Sequence, residues 1–130
     1  MMRGLPAASV VVPVYNTAAT VAETLDSLFA QTLDNFEVII VDDGSTDNSM
    51  EIVRGYDDPR CEIVSQKNRG LNGARNAGIR HSKAPYIAFL DADDLWRPQM
   101  LEKHVEHLDG HPKVGISFSP SGLILSLIHI

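Results

Sequence analysis

Aspartates occur in two short clusters, Asp42–Asp43 and Asp91 to Asp94, and each cluster directly follows an apolar run. If the fold brings these carboxylates together they repel one another, because a like charge nearby makes ionisation costly. A divalent cation relieves that repulsion, since Mg²⁺ and Mn²⁺ prefer oxygen ligands and often bind through one or two carboxylates plus substrate phosphates. Either cluster alone is more typical of a turn or a helix cap. The two together predict a Mn²⁺ or Mg²⁺ site.

The elements that must position these aspartates alternate between strand and helix. Apolar runs predict strands at 9–14, 36–41, 61–65, 85–90 and 114–119. Apolar residues at helical spacing predict four helices. The first begins near residue 20, and the others span about 47–56, 71–81 and 98–108. This alternation predicts an α/β fold with a mainly parallel sheet sandwiched by helices.

One edge of such a sheet should carry the chemistry. Loops that follow the carboxyl ends of parallel strands share an edge, and ligands bind where the strand order reverses. The turn at Tyr15–Asn16 and both aspartate clusters follow predicted strands, so we expect all three to meet there. At the start of the first helix, Thr20 and Glu23 have the spacing of a capping box, which predicts that the Thr20 hydroxyl caps that helix.

The ends of the chain fit this alternation less well. We predict one domain over residues 8–119, preceded by an N-terminal extension at 1–7. The apolar segment 120–130 has no turn or helix signal after it, so we interpret it as an atypical tail outside the domain, at the end of a fragment; a sixth strand and a membrane-associated segment are the alternatives. On this interpretation the sheet is truncated after its fifth strand.

Composition narrows the class of protein. The chain has 130 residues, a formal net charge of −6 and a single cysteine, Cys61. The acidic balance argues against a nucleic-acid partner, because such domains usually carry a basic footprint. One cysteine excludes an internal disulfide, and the first residues are too weakly apolar for a secretory signal. No apolar run approaches the roughly 20 residues of a membrane span. We therefore expect a cytoplasmic domain.

Several motifs occur together and in register, which makes a chance match improbable. They are Val12-Pro-Val-Tyr-Asn16, Gln31-Thr32, Val41-Asp-Asp-Gly-Ser-Thr-Asp47, Asn68-x-Gly70, Ala74-Arg-Asn-Ala-Gly78 and Phe89-Leu-Asp-Ala-Asp-Asp94. In this order they resemble the motifs of family 2 glycosyltransferases, and the resemblance covers about residues 8–119. It implies the Rossmann-like GT-A fold, and an enzyme that transfers a sugar from a nucleotide-diphosphate sugar to an acceptor hydroxyl with inversion.

The resemblance also implies a nucleotide-sugar site. Its residues would be Pro13, Tyr15, Asn16, Asp42, Asp43, Asn68, Gly70, Arg75, Asp91 and Asp93. Tyr15 would lie near the base, and Asp43, more than Asp42, would contact the base edge. Asp93 would ligate a Mn²⁺ or Mg²⁺ ion at the donor diphosphate, with Asp91 on the sugar–ribose side. For Arg75, a contact to phosphate and a structural role in the loop both stay open.

Other parts of the function are not visible in these residues. An inverting transferase needs a base to deprotonate the acceptor. The family places that base after the fifth strand, where this sequence has no Asp or Glu. A UDP-sugar is the donor that the resemblance implies first, with GDP- and dTDP-sugars open. The acceptor would be a glycan or a lipid-linked molecule, and any association with the inner face of the membrane would involve regions outside this chain. The alternative is a nucleotide-binding module without transferase activity.

Two further features allow more than one interpretation. His104, His107 and His111 have helical spacing that would suit a metal, but we interpret them as a solvated helix surface. Trp96 follows the second aspartate cluster, where it would either stack on a sugar or pack beneath the acidic loop.

Overall fold

Strands and helices alternate along the chain, as predicted. The computed structural model describes residues 5–119 and 122–126. Within them lie the strands β1 (Ala8–Val14), β2 (Phe36–Asp42), β3 (Cys61–Ser65), β4 (Tyr86–Phe89), β5 (Ile116–Ser119) and β6 (Gly122–Ser126). The helices are α1 (Val21–Phe29), α2 (Ser49–Arg54), α3 (Gly70–His81) and α4 (Met100–Gly110).

The strands form one sheet in the order β3-β2-β1-β4-β6-β5. Strands β3, β2, β1 and β4 pair parallel with one another in that order, and the β1–β2 register runs from Ala8 opposite Phe36 to Val14 opposite Asp42. Strand β6 pairs antiparallel with both β4 and β5. The predicted α/β fold with a mainly parallel sheet is therefore confirmed.

The end of the chain follows the sixth-strand alternative rather than the preferred interpretation. Residues 122–126 form β6, which inserts between β4 and β5 with Tyr86 opposite Ser126 and Phe89 opposite Leu123. The sheet thus continues past the fifth strand. Strand β5 ends two residues before β6 and pairs with it. An apolar run considered by itself does not reveal such a pairing. Residues 120–121 and 127–130 of the predicted tail lie outside the described residues, as do residues 1–4 of the predicted extension.

Both faces of the sheet are covered, which explains why β1 is buried along its whole length. Because successive side chains point to opposite faces, Val10, Val12 and Val14 pack in the cluster that includes Leu25 of α1 and Leu101 of α4. On the other face of the sheet, Ala74 and Ala77 of α3 pack against the strand residues Val11, Ile39, Val41 and Ile87. Each fully buried aliphatic side chain contributes about 2 kcal/mol.

Helix α3 lies unusually close to β1 because it presents small residues to the sheet. A Cβ atom added at Gly78 would lie 2.2 Å from Cγ1 of Val11 and 2.9 Å from its Cγ2. Real Cβ atoms do not approach other atoms so closely. The absence of a side chain at Gly78 therefore sets the distance between this helix and the central strand.

The start of α1 departs from the predicted capping box. Thr20 occupies the N-cap position, yet its side chain makes no hydrogen bond to the helix. Its hydroxyl instead donates to the carbonyl oxygen of Ala92, at 2.8 Å. The prediction was wrong because a tertiary acceptor, 72 residues further along the chain, replaces the local one.

Helix α4 buries a wider stripe than its apolar residues alone indicate. His104 is only 8% exposed, so its assignment to a solvated surface was wrong, whereas His107 and His111 are exposed as expected. The reason is geometric: position 104 shares a face with Leu101 and Leu108. Burial, with a smaller contribution from His107, lowers the pKa of His104 below its ordinary value.

Cys61, at the start of β3, is expected to react slowly with alkylating agents. Burial, assisted by the charge of Asp58, raises the pKa of its thiol to about 11. The thiolate is the reactive form. At pH 8 we therefore expect alkylation by iodoacetamide to be on the order of 100-fold slower in the folded chain than in urea, where the thiol pKa is about 8.5. Mass spectrometry of timed samples measures both rates, and equal rates would contradict the prediction.

Candidate functional site

Three loops meet at the carboxyl edge of the sheet. Strand β1 lies between β2 and β4, so the strand order reverses beside it. The backbone joins the three strand ends: the amide of Asp43 donates to the carbonyl of Val14, and that of Leu90 donates to the carbonyl of Val11, both at 2.9 Å. This is the place where ligands bind to open α/β sheets. The expected convergence of the Tyr15 turn with the two aspartate clusters is therefore present.

A pocket of about 450 Å³ opens at this edge. Of the residues predicted for the site, it is lined by Pro13, Tyr15, Asp43, Asn68, Gly70, Asp91 and Asp93. Its other lining residues, which the sequence analysis missed, are Val14, Thr17, Leu71, Ala74 and Ala92. The helical pattern of α3 predicts that Leu71 and Ala74 share a face, but which face meets the pocket depends on the packing of the helix on the sheet.

Asp43 is buried, with only 3% exposure, and organises one wall of the pocket. Its Oδ1 accepts hydrogen bonds from Nε2 of Gln66 at 2.9 Å and from the amide of Arg69 at 2.8 Å. Its Oδ2 accepts from the amide of Gly70 at 3.0 Å. Gly70 has a φ of +79°, a conformation that favours glycine, and it is the first residue of α3. The carboxylate of Asp43 thus holds the loop that leads into this helix.

We expect Asp43→Asn to lower the free energy of unfolding by about 2 kcal/mol, since an amide group would then face at least one donor and leave it unsatisfied. Urea denaturation followed by circular dichroism measures the change. The control is Asp57→Asn, which removes one charge from an exposed position. Equal denaturation midpoints for the two variants would contradict this role of Asp43.

Asp42 and Asn16 organise the neighbouring loop and do not line the pocket. Oδ1 of Asp42 accepts from the amide of Ser45 at 2.9 Å. Oδ1 of Asn16 accepts from the amides of Thr46 and Asp47, and Asn16 has a φ of +50°. These bonds fix the turn beside the pocket entrance. The predicted contacts of Asp42 and Asn16 with a nucleotide stay predictions.

The second aspartate cluster forms a group that suits a cation. One carboxylate oxygen from each of Asp91, Asp93 and Asp94 lies within 4.8 Å of the others. Burial, followed by the charges of Asp93 and Asp91, raises the pKa of Asp94 above its ordinary value. The amide of Asp94 donates to the carbonyl of Asp91 at 3.0 Å, so a turn gathers the three side chains. Crowded, partly exposed carboxylates are a fitting ligand set for Mn²⁺ or Mg²⁺. Asp94 joins the predicted pair, Asp91 and Asp93, in this group.

Arg75 contacts the same group from α3. Its Nη2 lies 3.2 Å from Oδ1 and 3.5 Å from Oδ2 of Asp91, and its Cζ lies 5.7 Å from the centre of the Phe89 ring. The guanidinium therefore holds Asp91 and offsets part of the negative charge of the cluster. Arg75 does not line the pocket, and its predicted contact with phosphate stays a prediction.

Trp96 packs beneath the acidic loop rather than in the pocket. It is 5% exposed and belongs to the main core cluster. Its backbone amide donates to the hydroxyl of Ser27 on α1 at 3.2 Å. The packing interpretation of Trp96 is therefore confirmed.

Comparison with known sequences assigns the family. The profile of the family described as "Glycosyl transferase family 2" matches residues 9–122. The uncharacterized glycosyltransferase EpsJ of Bacillus subtilis is 39% identical over 107 residues, which cover 81% of this chain and 31% of EpsJ. Glycosyltransferase GlyG of Streptococcus pneumoniae is 40% identical over 113 residues, covering 82% of this chain and 38% of GlyG. The chain thus spans about a third of the length of these relatives.

Solved structures show the same architecture. TarS of S. aureus (residues 1–349) in complex with UDP-GlcNAc superposes with a TM-score of 0.77 at 31% identity, over 81% of this chain and 32% of TarS. The mannosyltransferase PcManGT of Pyrobaculum calidifontis, in complex with GDP-Man and Mn²⁺, gives 0.83 at 26% identity, over 95% of this chain and 45% of PcManGT. Within the described residues, no helix is long and apolar enough to cross a bilayer.

The fold, the position of the pocket and the family match lead to one assignment. The sheet with helices on both faces is the GT-A arrangement that the resemblance implied. The match to the family profile extends over nearly the whole chain. This chain belongs to glycosyltransferase family 2.

Proposed function

We propose that this chain binds the nucleotide-sugar donor of an inverting, metal-dependent glycosyltransferase, with a UDP-sugar as the donor. One observation carries the proposal: a single pocket at the strand-order reversal has Tyr15 and Asp43 in its lining together with Asp91 and Asp93. A nucleoside diphosphate suits this lining, because it combines a planar base that donates hydrogen bonds with an anionic diphosphate that a metal ion at the aspartates would bind. The complexes of TarS with UDP-GlcNAc and of PcManGT with GDP-Man and Mn²⁺ support this proposal.

Tyr15 and Asp43 would recognise the nucleoside. The Tyr15 side chain is 48% exposed at the pocket, which leaves a ring face free to stack on a base. A carboxylate has about four lone-pair positions, and Asp43 already accepts three hydrogen bonds from the protein. The remaining position would accept one N–H group of the base. A single acceptor of this kind suits the N–H edge of uracil and also that of guanine.

Asp91 and Asp93 would hold the Mn²⁺ or Mg²⁺ ion, with Asp94 beside them. A bound divalent ion stabilises negative charge that develops on a diphosphate leaving group. The residues of this chain would contribute the carboxylate oxygens and, through Arg75, the orientation of Asp91. Asp93 is exposed, so its carboxylate is accessible to a ligand that enters from the pocket mouth.

Transfer of the sugar is proposed for the whole protein. This chain spans about a third of the length of the relatives that it matches. The reaction needs a base for the acceptor hydroxyl, and the resemblance places that group after the fifth strand. We also propose that the acceptor is a glycan or a lipid-linked molecule and that the whole protein acts at the inner face of the membrane. The second candidate is a donor-binding module without transfer activity; assay of the intact coding sequence against this chain would separate the two.

Calorimetric titration of UDP and GDP, with Mn²⁺ and with EDTA, tests donor binding. We expect UDP to bind in the presence of Mn²⁺ and at least about 10-fold more weakly in EDTA, a difference of about 1.4 kcal/mol. Tighter binding of GDP would overturn the UDP assignment, and equal affinity in EDTA would overturn the metal dependence. If neither nucleotide binds to a chain that circular dichroism shows to be folded, the proposed donor site is wrong.

A further inference from the structure

Helix α1, its N-cap residue and the two residues that follow its C-cap hold the backbone after β4. Four residues provide these contacts: Thr20 to the carbonyl of Ala92 at 2.8 Å, Ser27 to the amide of Trp96 at 3.2 Å, Gln31 to the carbonyl of Arg97 at 2.8 Å and the amide of Leu101 at 3.0 Å, and Thr32 to the carbonyl of Pro98 at 2.8 Å. All four act through side chains, and Thr32 also acts through its backbone amide. The segment from the acidic loop to α4 therefore takes its path from polar groups at fixed positions on or next to one helix.

The Thr20 contact differs from the others because of the residue that it reaches. Ala92 lies between Asp91 and Asp93, is 3% exposed and lines the pocket. The carbonyl of Ala92 belongs to the same planar peptide unit as the amide and Cα of Asp93. Fixing the direction of that carbonyl therefore restricts where the Asp93 side chain leaves the backbone.

The Thr20 hydroxyl also does not form the hydrogen bond that is usual for a threonine at an N-cap. A threonine at an N-cap commonly satisfies an amide of the first helical turn, and loss of such a cap typically destabilises a helix. Here the Thr20 side chain makes no cap hydrogen bond. Helix α1 begins without this contribution, and the hydrogen bond is made to the acidic loop instead.

We propose that Thr20 is a positioning residue for Asp93, acting through the Ala92 carbonyl to hold the acidic loop in its cation-binding arrangement. The cation part rests on the proposed function, whereas the positioning of the loop is a property of the chain without ligand. Thr20 itself would contact neither cation nor donor.

The test compares Thr20→Val, which keeps the shape and removes the donor, with Thr20→Ser, which keeps the hydroxyl. In the ligand-free chain, NMR measures hydrogen exchange of the Asp94 amide, whose bond to the Asp91 carbonyl closes the loop. We expect exchange to be about 10-fold faster in Thr20→Val and within about threefold of wild type in Thr20→Ser. Mn²⁺ affinity in the presence of UDP should fall about 10-fold in Thr20→Val and recover in Thr20→Ser.

Thr32→Val is the matched control, because its hydroxyl also donates to a backbone carbonyl, that of Pro98 at 3.2 Å, which its own amide still contacts. It should leave Asp94 exchange unchanged. Unchanged Asp94 exchange in Thr20→Val would overturn the proposal, as would equal acceleration at Asp94 and at the Thr24 amide within α1, since that pattern means a fraying helix. Faster Asp94 exchange without Mn²⁺ binding by the wild type would refute the proposed cation site and leave the positioning role supported.

Discussion

Replacing Asp93 with alanine should abolish Mn²⁺-dependent binding of UDP while the chain stays folded. Asp93 is exposed at the pocket and groups with Asp91 and Asp94, so its loss removes a proposed ligand without opening the core. Loss of a carboxylate from so small a ligand set should weaken binding at least about 100-fold, which corresponds to about 2.7 kcal/mol. Calorimetric titration of UDP in Mn²⁺ measures this loss.

Two comparisons make the Asp93 result specific. The control Asp57→Asn removes one negative charge far along the chain from the cluster and should bind UDP as the wild type does. In EDTA, Asp93→Ala and wild type should have the same residual affinity, because contacts to the nucleoside through Tyr15 and Asp43 are intact. If the variant retains the full Mn²⁺ effect, Asp93 is not a metal ligand.

Gly78→Ala should lower the free energy of unfolding by about 3 kcal/mol, near the upper end of what overpacking a core costs. The added methyl group would lie 2.2 Å from Cγ1 of Val11, and Val11 is itself fully buried in the central strand. The strand and the helix cannot move apart from each other without disturbing the packing of Ala74 and Ala77. The denaturant midpoint measures the change.

Gly110→Ala is the matched control for this effect. Gly110 is the last residue of α4, and a Cβ added there meets no atom within 4 Å. The higher helix propensity of alanine should leave stability unchanged or raise it by up to about 1 kcal/mol. If both variants had the same stability, the close approach of α3 to β1 would not restrict position 78.

Local pattern was sufficient for the parallel half of the sheet. Strand β1 is apolar apart from Ser9 because both of its faces are buried, and β3 was predicted with its observed bounds. The convergence of three loops followed from the rule that strand ends share an edge. The pairing of β6 could not be predicted in the same way, because a short apolar run becomes a strand only when a neighbouring strand accepts it.

Side-chain partners were harder to predict than elements. Thr20 and Glu23 match a local capping rule, yet the Thr20 hydroxyl finds an acceptor 72 residues away. Arg75 was left with two roles, and only the folded arrangement places it against Asp91. Asp43 was expected to contact a ligand, and its three protein donors come from a loop whose path the sequence does not reveal. Each case depends on contacts between distant segments.

The close packing at Gly78 also acts on the pocket from a distance. Helix α3 is a rigid rod that begins at Gly70, and Gly70, Leu71 and Ala74 form part of the pocket wall. Eight residues separate Gly70 from Gly78, about 12 Å along the axis. Any substitution that pushes the far end of the rod off the sheet therefore tilts the wall at the near end. We therefore expect substitutions at position 78 to change the width of the pocket, although Gly78 does not line it.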